Sequence, residues 1–238
     1  MHSLQLSWPQ EAISQALSPF WPEFVVEAVP QLDSTNTALL ERARSGHTMP
    51  VLLVTEKQTA GRGRMGRQWH NTQPAGGMLA FSLGLPLPAC DLSGLSLVVA
   101  CSVVNSLDAQ QRHGLRIKWP NDLWLGSSKL GGILVEICSQ GAQRYAVIGV
   151  GINITEPLPL PPAAANQPTQ QPPAWVQQFA PQASAPDVLA LVSAPLAAAV
   201  HQFTPRGLPL GKAALWRVMR WQGRLCACLT GIRVWCRG

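Results

Sequence analysis

The run Leu115-Arg116-Ile117-Lys118-Trp119-Pro120-Asn121-Asp122-Leu123-Trp124-Leu125-Gly126-Ser127-Ser128-Lys129-Leu130-Gly131-Gly132-Ile133-Leu134-Val135-Glu136-Ile137-Cys138 decides the fold class. It holds three apolar, strand-forming segments, Leu115 to Trp119, Leu123 to Leu125 and Lys129 to Cys138. Pro120-Asn121-Asp122 and Gly126-Ser127-Ser128 supply turn chemistry between them. Strands joined so tightly pair antiparallel, because a parallel pair needs a crossover of roughly a dozen residues or more. Beyond Gly141, the segment Tyr145 to Ile154 reads as the next strand.

Outward from this run the chain alternates differently. Gln10 to Leu17 reads as a short helix and Phe24 to Val29 as a strand. Ser34 before Thr35-Asn36-Thr37-Ala38-Leu39-Leu40-Glu41-Arg42-Ala43-Arg44, with Gly46 beyond, is an N-cap, a helix and a glycine stop. Val51 to Glu56 and Met78 to Leu85 read as strands, with a loop over Thr59 to Asn71. Ser93 to Gln111 reads as a long apolar helix and Pro186 to Phe203 as a second. These elements predict an α+β fold, a mixed and largely antiparallel sheet with helices on one face. No internal repeat is visible. Residues 156–186 carry nine prolines, which fix φ and remove backbone donors, so this stretch reads as a loop. We expect one body over 1–218, containing that loop, and a short remnant over 219–238. In the remnant, Leu225 to Leu229 and Ile232 to Cys236 amount to two strands at most, and an isolated pair is marginal in water.

The 238 residues are 47% hydrophobic and 13% charged, a composition outside the disordered range. No uninterrupted run of about 18 apolar residues occurs, so no transmembrane helix is expected. Met1 to Gln10 lacks a basic head and apolar stretch, so a cytoplasmic location is the expectation. The net charge of +6 is local: Val188 to Gly238 carries seven basic and no acidic residues. The remainder holds eleven basic and twelve acidic residues, a net of −1, which argues against a nucleic-acid partner. Six cysteines in a long chain without a secretion signal imply no disulfide framework. Cys226-Ala-Cys228 lacks the paired spacing of a zinc site, and no metal ligands are assigned.

Three constellations carry chemistry. In Gly61-Arg62-Gly63-Arg64-Met65-Gly66-Arg67-Gln68-Trp69, guanidinium forks sit on a backbone that can bend around an anion. By composition alone a solvated basic loop or an RNA-binding segment fits equally well. It lacks the Lys-Ser/Thr ending of a Walker loop. In Lys118-Trp119-Pro120-Asn121-Asp122 and the following Lys129-Leu130-Gly131-Gly132, a hairpin would bring Asp122 next to Lys129, and the glycines would let a ligand approach. In Val147-Ile148-Gly149-Val150-Gly151-Ile152-Asn153-Ile154, alternate glycines bare one face of a strand, and Asn153 at its end could hydrogen-bond a nucleotide.

Taken with Ser34-Thr35-Asn36 and Gln58-Thr59-Ala60 before the glycine-arginine loop, the order of these motifs resembles that of biotin–protein ligases. The resemblance covers the catalytic domain of that family from about Gln31 to Phe203. It implies activation of biotin by ATP to biotinyl-5′-AMP, with Mg²⁺ accompanying the nucleotide. Biotin then passes to one lysine of an acceptor, such as biotin carboxyl carrier protein or another biotin-dependent carboxylase subunit. It further implies that Ser34, Thr35, Asn36 and Gln58 contact biotin. Arg62, Gly63 and Arg64 would close over its carboxylate and the adenylate phosphate. Lys129 would bridge the biotin carboxylate and the α-phosphate, and Asp122 would orient or deprotonate the acceptor lysine. Arg64, Arg67, Trp69, Asn153 and, less securely matched, Trp175 would serve the nucleotide side.

Met65 stands where the family often has a basic residue, and Arg62, Arg64 and Arg67 are expected to cover its loss. About thirty residues precede Ser34, too few for the helix-turn-helix domain of the repressor members. A single-function ligase, monomeric or weakly dimeric and without membrane contact, is the expectation. A lipoate ligase shares the implied fold, but the arginine-glycine loop suits biotin better. An inactive scaffold would be expected to lose Lys129 or the loop arginines.

Overall fold

The computed structural model of the chain describes residues 6–69, 74–88, 90–140, 143–158, 173–206, 225–227 and 233–235. Its elements are α1 (Gln10–Leu17), β1 (Val25–Leu32), α2 (Thr35–Arg44), β2 (Val51–Gln58), β3 (Met78–Leu87), α3 (Leu95–Leu107), β4 (Leu115–Lys118), β5 (Asp122–Leu125), β6 (Ser128–Gln140), β7 (Gln143–Asn153), α4 (Ala185–Arg206), β8 (Leu225–Ala227) and β9 (Arg233–Trp235). The strands form one sheet in the order β1-β2-β3-β7-β6-β5-β4-β9-β8. The β1–β2 and β4–β9 pairs are parallel and the others antiparallel. The mixed α+β class expected from the sequence therefore holds. The β1–α2–β2 unit supplies the crossover that its parallel pair requires.

The helices do not share one face, which corrects the sequence expectation. Leu39, Leu40 and Ala43 of α2 pack with Val51, Leu53, Tyr145 and Val147. The main core gathers α1, α3 and α4 with Leu52, Val54, Leu79, Phe81, Leu83, Ile148, Val150 and Ile152. Successive residues of β2 thus alternate between two covered faces, as period-2 geometry demands. A continuous run such as Val51 to Val54 fits burial on both sides. The helix α2 has ten residues. Beyond its N-terminus, its face of the sheet carries residues alternating with the main core: Ser82 on β3, Gly149 and Gly151 on β7, and Leu134 and Glu136 on β6.

Element ends differ where local chemistry intervenes. The strand β1 runs past Pro30 to Leu32, since it lies at the sheet edge, where a missing donor is tolerated. The helix α3 stops at Leu107 rather than Gln111. There the buried Asp108 carboxylate accepts the backbone N–H groups of Arg112 (2.8 Å), His113 (3.2 Å) and Leu115 (3.3 Å). The helix α4 begins behind a cap in which Ser184 Oγ and Ser184 N–H both donate to Asp187. These bonds, the hydroxyl's first, hold the Asp187 carboxyl below the usual carboxylate range. Ala185–Thr204 is long and apolar enough to cross a membrane by length and composition alone, yet half of it is buried. Val188, Leu189, Val192, Leu196, Val200 and Phe203 belong to the main core. The two tail strands are not an isolated pair, because β9 joins β4 through Ile117–Val234 and Lys118–Trp235. The rest of the tail, and 159–172 of the proline-rich loop, lie outside the described residues.

Candidate active site

The N-terminus of α2 points across the open part of its sheet face. Ser34 is extended (φ −156°, ψ 131°) and its hydroxyl accepts from Thr37 N–H at 3.4 Å. This fixes Thr35 and Asn36 in the first turn, where each is 3% exposed. Gln58, at the end of β2, accepts with Oε1 from Thr35 N–H (2.9 Å) and from Thr35 Oγ1 (3.3 Å). Asn36 Nδ2 donates to the Leu134 carbonyl (3.2 Å) and to Glu136 Oε2 (3.0 Å). The fully buried Ser82 hydroxyl lies 2.6 Å from Asn36 Oδ1 and 2.7 Å from Thr35 Oγ1. Three of the four expected biotin contacts, Thr35, Asn36 and Gln58, therefore form one hydrogen-bonded group through Ser82, and Ser34 caps the helix that carries two of them.

The bared face of β7 has a use. A Cβ on Gly149 would stand 2.0 Å from Asn36 Oδ1, and one on Gly151 would stand 2.9 Å from the Trp69 indole. The two glycines admit the two side chains. Gly131, expected to make room for a ligand, instead makes room for the β7 backbone: its Cβ would meet the Gly151 carbonyl at 2.4 Å. Gly132 lies against Asp122 and Lys129, whose Oδ1 and Nζ would each stand 3.6 Å, an ordinary contact distance, from a Cβ there.

Residues 61–69 fold back on themselves above this face. Gly63 N–H donates to the Arg67 carbonyl (2.7 Å) and Trp69 N–H to the Gly61 carbonyl (2.9 Å). Between them Arg64–Gly66 makes a 3₁₀ turn with Met65 at φ 56°, 89% exposed. Arg62 reaches down to Glu136, with Nη2–Oε1 at 2.8 Å and Nη1–Oε2 at 3.2 Å. Arg64 reaches Asn121 Oδ1 at 3.3 Å. Arg67 contributes its carbonyl to the fold of the loop, and its side chain is exposed.

The hairpin between β5 and β6 brings Lys129 Nζ to 2.8 Å from Asp122 Oδ1, as the spacing predicted. Lys129 Nζ also lies 5.3 Å from the Trp69 ring centre, joining hairpin and loop. Lys118 sits apart, over the Trp124 ring at 4.3 Å. Asn153, at the end of β7, donates from Nδ2 to the Ala174 carbonyl (2.9 Å), and Ala174 N–H donates to the Lys129 carbonyl (2.8 Å). The strip leading to the half-buried Trp175 is thereby tied to β6 and β7. Asn153 acts on this strip through backbone, a function its strand-end position did not reveal. Ser82 and Glu136 also went unassigned. Each is a polar residue inside an otherwise apolar strand, and that was the available signal.

Comparison with known proteins places these residues in context. Residues 28–153 match the profile described as the biotin/lipoate A/B protein ligase family. A biotin–[acetyl-CoA-carboxylase] ligase of Mycobacterium tuberculosis is 40% identical over 138 residues, 55% of this chain and 50% of that one. A bifunctional ligase/repressor of Escherichia coli is 41% identical over 136 residues, 54% of this chain and 40% of that one. The chain thus spans about half the length, or less, of these relatives. Among solved structures, the biotin protein ligase of Aquifex aeolicus in complex with biotin and ATP aligns with a TM-score of 0.63 at 25% identity. That alignment covers 84% of this chain and 80% of that one. The biotin acetyl coenzyme A carboxylase synthetase of Helicobacter pylori, with bound biotinylated ATP, aligns with a TM-score of 0.57 at 25% identity, covering 88% of each chain.

Proposed function

The chain belongs to the biotin/lipoate A/B protein ligase family, and we propose that within it the chain activates biotin with ATP and transfers it to a lysine of a carboxylase carrier protein. The observation that carries this reading is the meeting of three groups on one sheet face. These are the buried Thr35–Asn36–Ser82 floor, the arginine loop above it, and Lys129 beside Asp122 and the loop's Trp69. The names and bound ligands of the relatives support the same substrate pair.

In the first half-reaction a carboxylate oxygen of biotin attacks the α-phosphorus of ATP. The bond to the β-phosphate bridging oxygen breaks, and pyrophosphate leaves with the electron pair. Ser34, Thr35, Asn36 and Gln58 present fixed donors and acceptors to the polar head of biotin. Lys129 meets the place where negative charge accumulates, and Arg62 and Arg64, with the Gly63 backbone between them, close over the adenylate that forms. Preorganised charge of this kind stabilises a transition state more than a solvated ion does. Arg67, Trp69, Asn153 and Trp175 serve the nucleotide side, Asn153 by holding the strip that carries Trp175. In the second half-reaction the acceptor ε-amine attacks the acyl carbon, AMP leaves, and the amine loses a proton. Asp122, beside Lys129, is placed to orient that amine or take the proton.

Magnesium enters this scheme with the nucleotide. Among the described residues no three of His, Cys, Asp and Glu cluster. Magnesium bound by nucleotides is held mainly by phosphates and water, so it would arrive as MgATP. Incubating the chain with labelled biotin, MgATP and a biotin carboxyl carrier domain tests the proposal. Label on a single carrier lysine is the expected result, and an unlabelled carrier would contradict it.

A further inference from the structure

Glu136 holds two of the proposed biotin contacts at once and has no part in the scheme above. Its Oε1 accepts from Arg62 Nη2 at 2.8 Å, and its Oε2 accepts from Arg62 Nη1 at 3.2 Å and from Asn36 Nδ2 at 3.0 Å. Arg62 Nη1 also donates to Thr37 Oγ1 at 3.4 Å. Arginine has five N–H donors in a rigid fork. Three are thus committed to the sheet and to α2, and the rest can meet an anion. Asn36 is equally committed: Nδ2 faces Glu136 and Leu134, and Oδ1 faces Ser82. The Glu136 side chain is 23% exposed against 44% for Arg62, so the carboxylate is the more fixed partner.

We propose that Glu136 is a positioning residue that anchors the 61–69 loop to the α2 pocket and so sets biotin affinity through Arg62 and Asn36. The affinity part rests on the reading of those two residues as biotin contacts. The anchoring part does not. A paired, hydrogen-bonded carboxylate on a strand orients the groups that touch the ligand, as outer partners do at built sites. Without it, Arg62 hangs from a glycine-flanked backbone, and Asn36 loses one of its two acceptors.

The test uses the full chain and Glu136→Gln, which keeps shape and removes charge. Hydrogen exchange in the ligand-free protein should be about tenfold faster at the Gly63 and Trp69 amides, with the β3–β7 amides unchanged as a check on folding. Biotin titrated by calorimetry should bind about tenfold more weakly, the effect of losing one charge-assisted pair, while the KM for ATP stays within about twofold. Glu136→Asp should fall between the two. Unchanged exchange at Gly63 and Trp69, or biotin binding as tight as in the unsubstituted chain, overturns the proposal. Faster loop exchange in a chain that binds no biotin even when unsubstituted would keep the anchor and overturn the ligase reading and the affinity role together.

Discussion

The two halves of the site are built in opposite ways. The floor at the start of α2 is buried, with Ser34, Thr35 and Asn36 each 3% exposed, and Thr35 and Asn36 are bonded to Gln58, Ser82 and Glu136. The loop above it exposes Met65 at 89%, is folded by its own backbone bonds, and meets the rest of the chain through Arg62, Arg64 and the Trp69 ring. A network with buried partners is costly to distort. A segment with few buried contacts opens for little free energy. The contrast fits the proposed division, recognition by the floor and retention by the loop, with Lys129 beside the loop's Trp69.

Substitutions should break this division in a definite order. Lys129→Ala removes the charge at the junction, and biotin-dependent pyrophosphate exchange should fall about 10²–10³-fold. Near-normal exchange would remove Lys129 from the chemistry. Gly149→Ala strikes the floor, since the new Cβ would overlap Asn36 Oδ1 while Asn36 is held on both sides. Overpacking of this kind costs about 1–3 kcal/mol, so biotin should bind about 10- to 100-fold more weakly by calorimetry.

Ser82→Ala leaves Asn36 Oδ1 and Thr35 Oγ1 without the Ser82 hydroxyl. A buried polar group so stripped costs about 1–3 kcal/mol. Roughly tenfold weaker biotin binding and a lower melting temperature are expected together. Arg64→Gly removes the loop's hold on Asn121 and leaves the floor untouched. Adenylate formation should stay within a few-fold of the unsubstituted rate, while the intermediate escapes and labels bystander lysines, read by peptide mapping of a mixed protein sample. Label confined to the acceptor lysine would show that Arg64 is not what retains the intermediate.

Much of this is legible in the sequence. Ser34 and Gly46 bracket α2 because a cap and a stop act locally, the turn residues of Pro120-Asn121-Asp122 set the β4–β5 hairpin, and Gly126-Ser127-Ser128 set the β5–β6 hairpin that brings Asp122 to Lys129. The layering was not legible. The continuous apolar run Val51 to Val54 allows cover on both faces, but which helix covers which face depends on distant partners such as Tyr145 and Val147. The roles of Ser82 and Glu136 stayed hidden for a similar reason. Each bonds to Asn36, 46 and 100 positions away respectively, so no local spacing announces the contact.

The central claim is that the floor selects biotin and the junction activates it with ATP. Radiolabelled pyrophosphate exchange into ATP, run with biotin, with lipoate and with neither acid, tests this most directly. Exchange that requires biotin and is negligible with lipoate or with no acid is the predicted result. Exchange supported equally by lipoate, or none with biotin, would contradict the account.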